Sequence, residues 1–170
     1  MRKTMPASVL LVAMTIVLGL SDLGYLRVSG FGGAITIVHV PVILAAILDG
    51  PLVGGLVGLV FGTLTLLKFE PHDPFLHLVP RILLGVVAGL VFQFVREAMD
   101  GGARTSLAAA AAAVAGSLTN TLGVAAIAVT RGHYRIDELG SMVLLHGVIE
   151  LAIALVLIVP SAVWLTLQRD

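Results

Sequence analysis

Six apolar stretches occupy most of this 170-residue chain, and short polar segments separate them. A membrane-spanning helix needs about 20 mainly apolar residues, with fewer when flanking segments help to cross the bilayer. The predicted helices lie near residues 7–20, 33–48, 51–67, 74–95, 105–130 and 139–167. Between the second and third, Asp49 and Gly50 precede Pro51, which is the expected chemistry of a tight turn. The pattern predicts an all-α integral membrane protein, a compact bundle of six transmembrane helices that forms one transmembrane domain over residues 1–170.

The composition favours the same class. Hydrophobic residues make up 58% of the chain, charged residues 12%, and the mean hydropathy is +1.08, so a soluble domain with a charged surface is excluded. The ten basic and ten acidic residues cancel without a basic cluster, so the lipid bilayer, and not nucleic acid, is the expected partner. With no cysteine, the chain has neither disulfides nor thiolate metal ligands.

The loop charges predict the orientation of the chain in the cell membrane. An even number of spans places both termini on one side, and cytoplasmic loops carry an excess of Lys and Arg. The side with the termini holds Arg2, Lys3, Arg96, Arg104 and Arg169, and the other holds Arg27, Lys68, Arg131 and Arg135. This bias predicts a multi-pass protein with cytoplasmic termini, whose longer outer loops could form a lid.

Polar residues inside the apolar stretches are the candidate site. A charged side chain at mid-bilayer costs roughly 2.5 to 3.5 kcal/mol on insertion scales, so such residues usually face the bundle interior and mark a pathway or a site. At 1.5 Å per residue, these residues fall in the outer half or at the midplane, which predicts a shared substrate cavity. The candidates are His39, Arg81, Asn120, Thr121, His146 and Glu150.

The residues alone leave several readings open. Arg81 either binds a substrate carboxylate or only pairs with Glu150 to hold two helices together. His146 and Glu150 lie one helical turn apart, as in a proton relay, so a self-sufficient proton-coupled carrier and a purely structural subunit are the rival functions. His39 and His146 do not have the spacing of a zinc-ligand pair, so neither a metal nor a cofactor is expected.

Enzymatic and ATP-hydrolysing functions find no support in the motifs. Ser117 and His146 form the one candidate nucleophile and base pair, and no glycine-framed serine motif or third orienting group accompanies them. The chain has no phosphate-binding loop, so it cannot power transport by itself. We therefore predict that it is not an enzyme.

Glycines at four-residue spacing mark one face of the third predicted helix. Gly54, Gly58 and Gly62 form a small-xxx-small pattern, which lets helix backbones approach closely. Such a face either packs inside the bundle or docks another membrane subunit.

Four motifs in order along the chain resemble a known family. They are His39-Val40-Pro41-Val42-Ile43, Asp49-Gly50-Pro51, Pro80-Arg81 and Thr119-Asn120-Thr121. In this order and over nearly the whole chain, the sequence resembles the substrate-binding S component of energy-coupling-factor (ECF) vitamin transporters, and it is most similar to the pantothenate-type branch.

The resemblance implies a high-affinity vitamin-binding subunit of an ATP-driven importer. It would dock on a transmembrane T component that carries two ABC-type ATPases, and it would bind pantothenate or another vitamin such as riboflavin, folate, cobalamin or a thiamine precursor. The family docks through an Ala-x-x-x-Ala motif on helix one, where this chain has Thr15 and Gly19. The further docking candidates are Gly54, Gly58 and Gly62.

Overall fold

The computed structural model describes residues 7–27 and 34–168. The helices are α1 (Ala7–Leu20), α2 (His39–Asp49), α3 (Pro51–Lys68), α4 (Pro74–Ala98), α5 (Arg104–Thr130) and α6 (Ile136–Leu167). Between α1 and α2, a short turn at Asp22–Gly24 leads into strands β1 (Tyr25–Arg27) and β2 (Ala34–Thr36). Residues Arg2, Lys3, Gly33 and Arg169, used in the sequence predictions, lie outside the described part of the chain.

Four of the helices are long and apolar enough to cross a membrane, namely α3, α4, α5 and α6. The other two are shorter, since α1 has 14 residues and α2 has 11. At 1.5 Å per residue they extend about 21 Å and 17 Å, against a hydrocarbon core of about 30 Å. Length and composition therefore support membrane crossing for four of the six predicted transmembrane helices.

The prediction for the second helix, residues 33–48, is wrong in its first part. Ala34–Thr36 forms a strand that pairs antiparallel with β1, with Tyr25 opposite Thr36. His39 is consequently the first residue of α2, and every residue from His39 to Ile47 is buried. Non-helical backbone inside a membrane bundle is tolerated where protein covers it, and this strand lies against β1 and α6. The apolar run thus marks a buried central segment of the bundle.

Glycines bring α3 and α4 into close antiparallel contact. A Cβ at Gly54 would lie against Gly85, a Cβ at Gly58 would collide with the carbonyl oxygen of Arg81, and a Cβ at Gly62 would meet the carbonyl oxygen of His77. Only glycine permits backbones to approach this closely. The glycine face therefore packs inside the bundle and fixes the height of Arg81 on α4.

The two docking candidates on α1 are also internal. The side chain of Thr15 is fully buried and donates to the carbonyl oxygen of Leu11 at 2.8 Å. A Cβ at Gly19 would overlap the side chain of Leu64 on α3. Thr15, Gly19, Gly54, Gly58 and Gly62 thus all pack within the chain, and a docking role for them stays a prediction.

Polar contacts tie the loops together at both ends of the bundle. At the end where α1 begins, the backbone N–H of Ser8 donates to Oδ2 of Asp49 at 2.9 Å. At the opposite end, Nζ of Lys68 lies 3.2 Å from Oδ1 of Asp22 and donates to the carbonyl oxygen of Ser21 at 3.1 Å. The hairpin, the α3–α4 loop and the α5–α6 loop gather at this second end, where the candidate site lies.

Candidate functional site

A cavity of about 220 Å³ lies among the β-hairpin, α3, the α3–α4 loop, α4, α5 and α6. A water molecule occupies about 30 Å³ in the liquid, so the cavity can hold a small metabolite. Its polar lining residues are Tyr25, Thr36, Thr65, Glu70, His77, Arg81, Asn120, Thr121, Tyr134, His146 and Glu150. Five of the six predicted substrate-binding residues, Arg81, Asn120, Thr121, His146 and Glu150, are among them.

Buried stripes on the helices carry these side chains to the cavity. On α6, His146 and Glu150 continue a buried stripe formed by Ala154, Ile158 and Ala162 at four-residue spacing. Residues four apart lie on one face of a helix, so the apolar part of the stripe faces the core and its polar end faces the cavity. On α5, Asn120 ends a similar stripe of small buried residues, which are Ala108, Ala109, Ala112, Ala113, Gly116 and Ser117.

Arg81 is held by a backbone carbonyl that α4 leaves free. Pro80 has no N–H, so the carbonyl of Leu76, four residues earlier, lacks its helical partner. The Nη1 of Arg81 donates to this carbonyl oxygen at 2.8 Å, and the guanidinium lies 5.5 Å from the centre of the Phe61 ring. Among the described residues, the Nε of Arg81 is buried without a hydrogen-bond partner, and the charged side chain lines the cavity.

Glu150 connects α6 to the β-hairpin. Its side chain is buried, and Oε1 accepts a hydrogen bond from the backbone N–H of Thr36 at 2.8 Å. The ion pairs among the described residues do not include one between Arg81 and Glu150, although both side chains line the cavity. The carboxylate therefore anchors the hairpin directly, and the guanidinium is not neutralised by contact with it.

Four further side chains that line the cavity have a buried polar atom without a partner within the described chain. These atoms are the Tyr25 hydroxyl, Nδ1 of His77, Oδ1 of Asn120 and Nε2 of His146. Buried polar atoms are almost always hydrogen-bonded, and leaving one unpaired costs about 1 to 3 kcal/mol. Together with Arg81, these side chains give the cavity lining both charged and neutral polar groups.

His39 does not line the cavity, and a substrate-binding role for it stays a prediction. It is 1% exposed, and its ring lies beside the backbone of Thr36 and Glu150. Among the described residues, no group of three or more potential metal ligands occurs, and His39 and His146 belong to none. His39 is thus a buried residue at the start of α2.

The sequence prediction did not include several residues that the structure brings to the cavity. Tyr25 and Thr36 arrive on the hairpin, which the apolar pattern did not reveal. Phe61 and Thr65 lie four residues apart on α3, beside the glycine face, and His77 precedes Arg81 by four residues on α4. For these three residues the helical spacing was a usable signal.

Aromatic side chains from two loops meet at the cavity. The rings of Tyr25 and Phe69 pack edge to face with their centres 4.9 Å apart, and Nζ of Lys68 lies 4.6 Å from the centre of the Tyr25 ring. Burial raises the pKa of Tyr25 to about 12, although the charge of Arg81 opposes the shift. The Tyr25 hydroxyl therefore stays protonated at neutral pH, and no described residue accepts its hydrogen bond.

Asp73 fastens the α3–α4 loop to the α5–α6 loop. Oδ1 caps α4 by accepting from the backbone N–H of Phe75 at 2.9 Å, and Oδ2 accepts from Nε2 of His133 at 2.8 Å and from Nε of Arg131. These contacts lower the pKa of Asp73 from 3.8 to about 2, and the hydrogen bond from His133 is the largest cause. Arg131 and the N–H of Phe75 lower the pKa further, whereas burial opposes the shift. Pro71 and Tyr134, on the same two loops, line the cavity.

We expect Asp73→Asn to lower the melting temperature of the protein in detergent, most clearly near neutral pH. Asparagine can still cap α4, but it cannot carry the negative charge that faces His133 and Arg131. Because the folded-state pKa lies below the ordinary value, the stabilisation is complete above about pH 4 and is lost as the pH falls towards 2. Thermal unfolding of both proteins between pH 7 and 2 should show their difference shrinking on acidification.

The matched control is Asp137→Asn, since Asp137 is an exposed carboxylate that pairs with Arg135 on the same side of the bundle. Exposed pairs contribute little, so this change should leave the melting temperature nearly constant. Equal effects of the two substitutions, or a difference that does not depend on pH, would contradict the role given to Asp73.

The fold and the cavity together define a class, a helical membrane protein with a polar ligand cavity at one end of its bundle. The sequence matches the family model for the ECF transporter, substrate-specific component, over residues 3–162, and the chain belongs to this family. Its members are transporter subunits and not enzymes, and the family and the apolar helices indicate a multi-pass protein of the cell membrane. No curated protein matches the sequence. The resemblance is thereby confirmed for the family, whereas the pantothenate-type branch is a finer assignment.

Proposed function

We propose that this chain captures a small carboxylate-bearing vitamin, pantothenate first among them, and presents it for ATP-driven import. The proposal depends on the polar side chains at one cavity that have a buried atom without a partner among the described residues, including Arg81, Asn120 and His146. A guanidinium can grip a carboxylate with two parallel hydrogen bonds, and the amide and imidazole suit the amide and hydroxyl groups of pantothenate.

The aromatic residues at the cavity favour an aliphatic ligand over a flavin or a pterin. Flavins and pterins bind best where an aromatic ring can stack on them. Here the guanidinium of Arg81 lies over the Phe61 ring, while Tyr25 already contacts Lys68 and Phe69. A volume of about 220 Å³ also favours the smaller vitamins over cobalamin.

Import requires partners, because the sequence lacks a phosphate-binding loop. Family membership implies a T component and two ABC-type ATPases as these partners, together with a vitamin ligand. The sequence-based docking candidates pack internally, so the proposal places the T component on lipid-facing side chains of α1 and α3. Exposed apolar residues there include Leu10, Val17, Leu52 and Leu56.

The proposal places the cavity on the extracellular side and both termini in the cytoplasm. In this orientation Leu23 lies outside and Gly102 lies inside. Both positions can accept a new side chain, because Leu23 is 75% exposed and a Cβ added at Gly102 would meet no atom within 4 Å. Since the chain has no cysteine, Leu23→Cys and Gly102→Cys each introduce one label site. In intact cells, an impermeant thiol reagent should label the first variant and not the second, and permeabilisation should expose the second. The reverse pattern would place the cavity on the cytoplasmic side.

Vitamin binding to the purified protein tests the function directly. Calorimetric titration with pantothenate, riboflavin, folate, cobalamin and thiamine should give saturable binding for pantothenate and none for the other four. Binding of another member of the panel instead would overturn the choice of vitamin and keep the family function. Uptake by the chain alone in proteoliposomes, driven by a pH gradient and indifferent to ATP, would support the proton-coupled carrier that uses His146 and Glu150.

A further inference from the structure

Pro80 is the one proline inside α4, and it is fully buried against α5, where it packs beside Gly123. A proline in a helix interior removes one hydrogen bond and leaves the carbonyl four residues earlier without a donor. An unpaired carbonyl in the bundle interior is costly, so it needs a partner from elsewhere. The position of Pro80 therefore creates an acceptor, the Leu76 oxygen, one turn before the cavity residue Arg81.

The side chain of Arg81 meets that need by folding back along α4. Helical side chains point towards the N-terminus of the helix, and Nη1 of Arg81 donates to the Leu76 oxygen at 2.8 Å. The backbone of Arg81 is fixed as well, because α3 approaches its carbonyl oxygen at Gly58 with no room for a Cβ. One end of the guanidinium is thus occupied by the protein, and Nε is buried without a partner in the part of the chain that the structure describes.

We propose that Pro80 is a positioning residue for recognition of the vitamin carboxylate. It acts by freeing the Leu76 carbonyl, which holds the guanidinium of Arg81 in one orientation before the ligand arrives. A preorganised side chain binds more tightly because less rotamer freedom is lost on binding. This inference rests on the proposed function, in which Arg81 binds a carboxylate.

The substitution Pro80→Ala tests the idea because alanine restores the backbone N–H. The new N–H bonds to the Leu76 oxygen in the ordinary helical manner, competes with Nη1 of Arg81 for it, and keeps the helix intact. The control is Pro160→Ala, since Pro160 lies inside α6 but is exposed and does not line the cavity. Both variants remove a helix-interior proline, and only one of them adjoins Arg81.

Two probes separate positioning from general packing, namely pantothenate and pantothenol, the alcohol that lacks its carboxylate. With Pro80→Ala, the affinity for pantothenate should fall about tenfold or more, while the affinity for pantothenol should stay within about threefold of the unmodified protein. Pro160→Ala should change neither. Unchanged pantothenate affinity, or a parallel loss for both probes, would overturn the inference.

A readout without ligand keeps the inference separate from the proposed function. The side-chain N–H signals of Arg81 in a nitrogen-15 spectrum of the detergent-solubilised protein can be assigned by their disappearance in Arg81→Lys. The hydrogen bond to Leu76 should slow rotation of the guanidinium, and Pro80→Ala should abolish this slow rotation. If the unmodified protein binds no pantothenate, the proposed function fails while this result still stands. Unaltered Arg81 signals in Pro80→Ala would show that Pro80 does not position the Arg81 side chain, whichever vitamin binds.

Discussion

Arg81→Ala is expected to weaken binding of a carboxylate vitamin by about 2 to 5 kcal/mol, roughly 30- to 5,000-fold in Kd. The substitution removes the unpartnered charged donor at the cavity and leaves the Tyr25 hydroxyl and the Asn120 amide in place. The helical fold should survive, although the Leu76 oxygen loses its partner at a cost of about 1 to 3 kcal/mol. Calorimetric titration gives the affinity, and circular dichroism reports the fold.

Two further variants decide whether Arg81 serves the ligand or only Glu150. Arg81→Lys keeps the charge but loses the planar fork, so its affinity should be intermediate. If the two charges existed only to neutralise each other, the double variant Arg81→Ala with Glu150→Ala would recover stability relative to either single variant. We expect no such recovery, because Glu150 bonds to the Thr36 backbone and not to Arg81. A double variant that binds the vitamin with full affinity would remove Arg81 from the ligand site.

The ends of the helices were largely predictable because local chemistry marks them. Pro51 and Pro74 occupy the first turns of α3 and α4, where a missing N–H costs nothing, and Asp73 caps α4 with its side chain. The polar positions on α4, α5 and α6 were predictable for a related reason. Each of these polar residues continues a stripe of residues that packs against a neighbouring helix. The spacing along the sequence therefore indicates both the depth of the residue and the face of the helix on which it lies.

The hairpin and the position of His39 could not be read from the sequence. Residues 34–48 are almost uniformly apolar, and a fully buried run has no polar face to distinguish strand from helix or one side from another. The rise per residue gives depth along a helix, but it does not give the rotation of that helix about its axis. The hairpin is held by Glu150, 114 residues away from Thr36, and no local pattern records such a contact.

The position of Gly58 gives the second large expected effect. In Gly58→Leu, the new Cβ collides with the carbonyl oxygen of Arg81, and the remaining atoms must enter the α3–α4 interface. Overpacking a tight core costs about 1 to 3 kcal/mol or more, so we expect a destabilisation of about 3 kcal/mol in thermal unfolding. The vitamin affinity should fall as well, because α4 cannot move away from α3 without displacing Arg81.

The control for this prediction is Gly102→Leu, at a glycine with open space around it, which should leave both stability and affinity unchanged. Co-purification of Gly58→Leu with the T component and the ATPases then separates the two roles considered for the glycine face. Full stability and full vitamin affinity combined with loss of the partners would assign Gly58 to docking. We expect instead that Gly58→Leu lowers stability and vitamin affinity together, because the three atoms nearest to a Cβ at Gly58 all belong to α4 of the same chain.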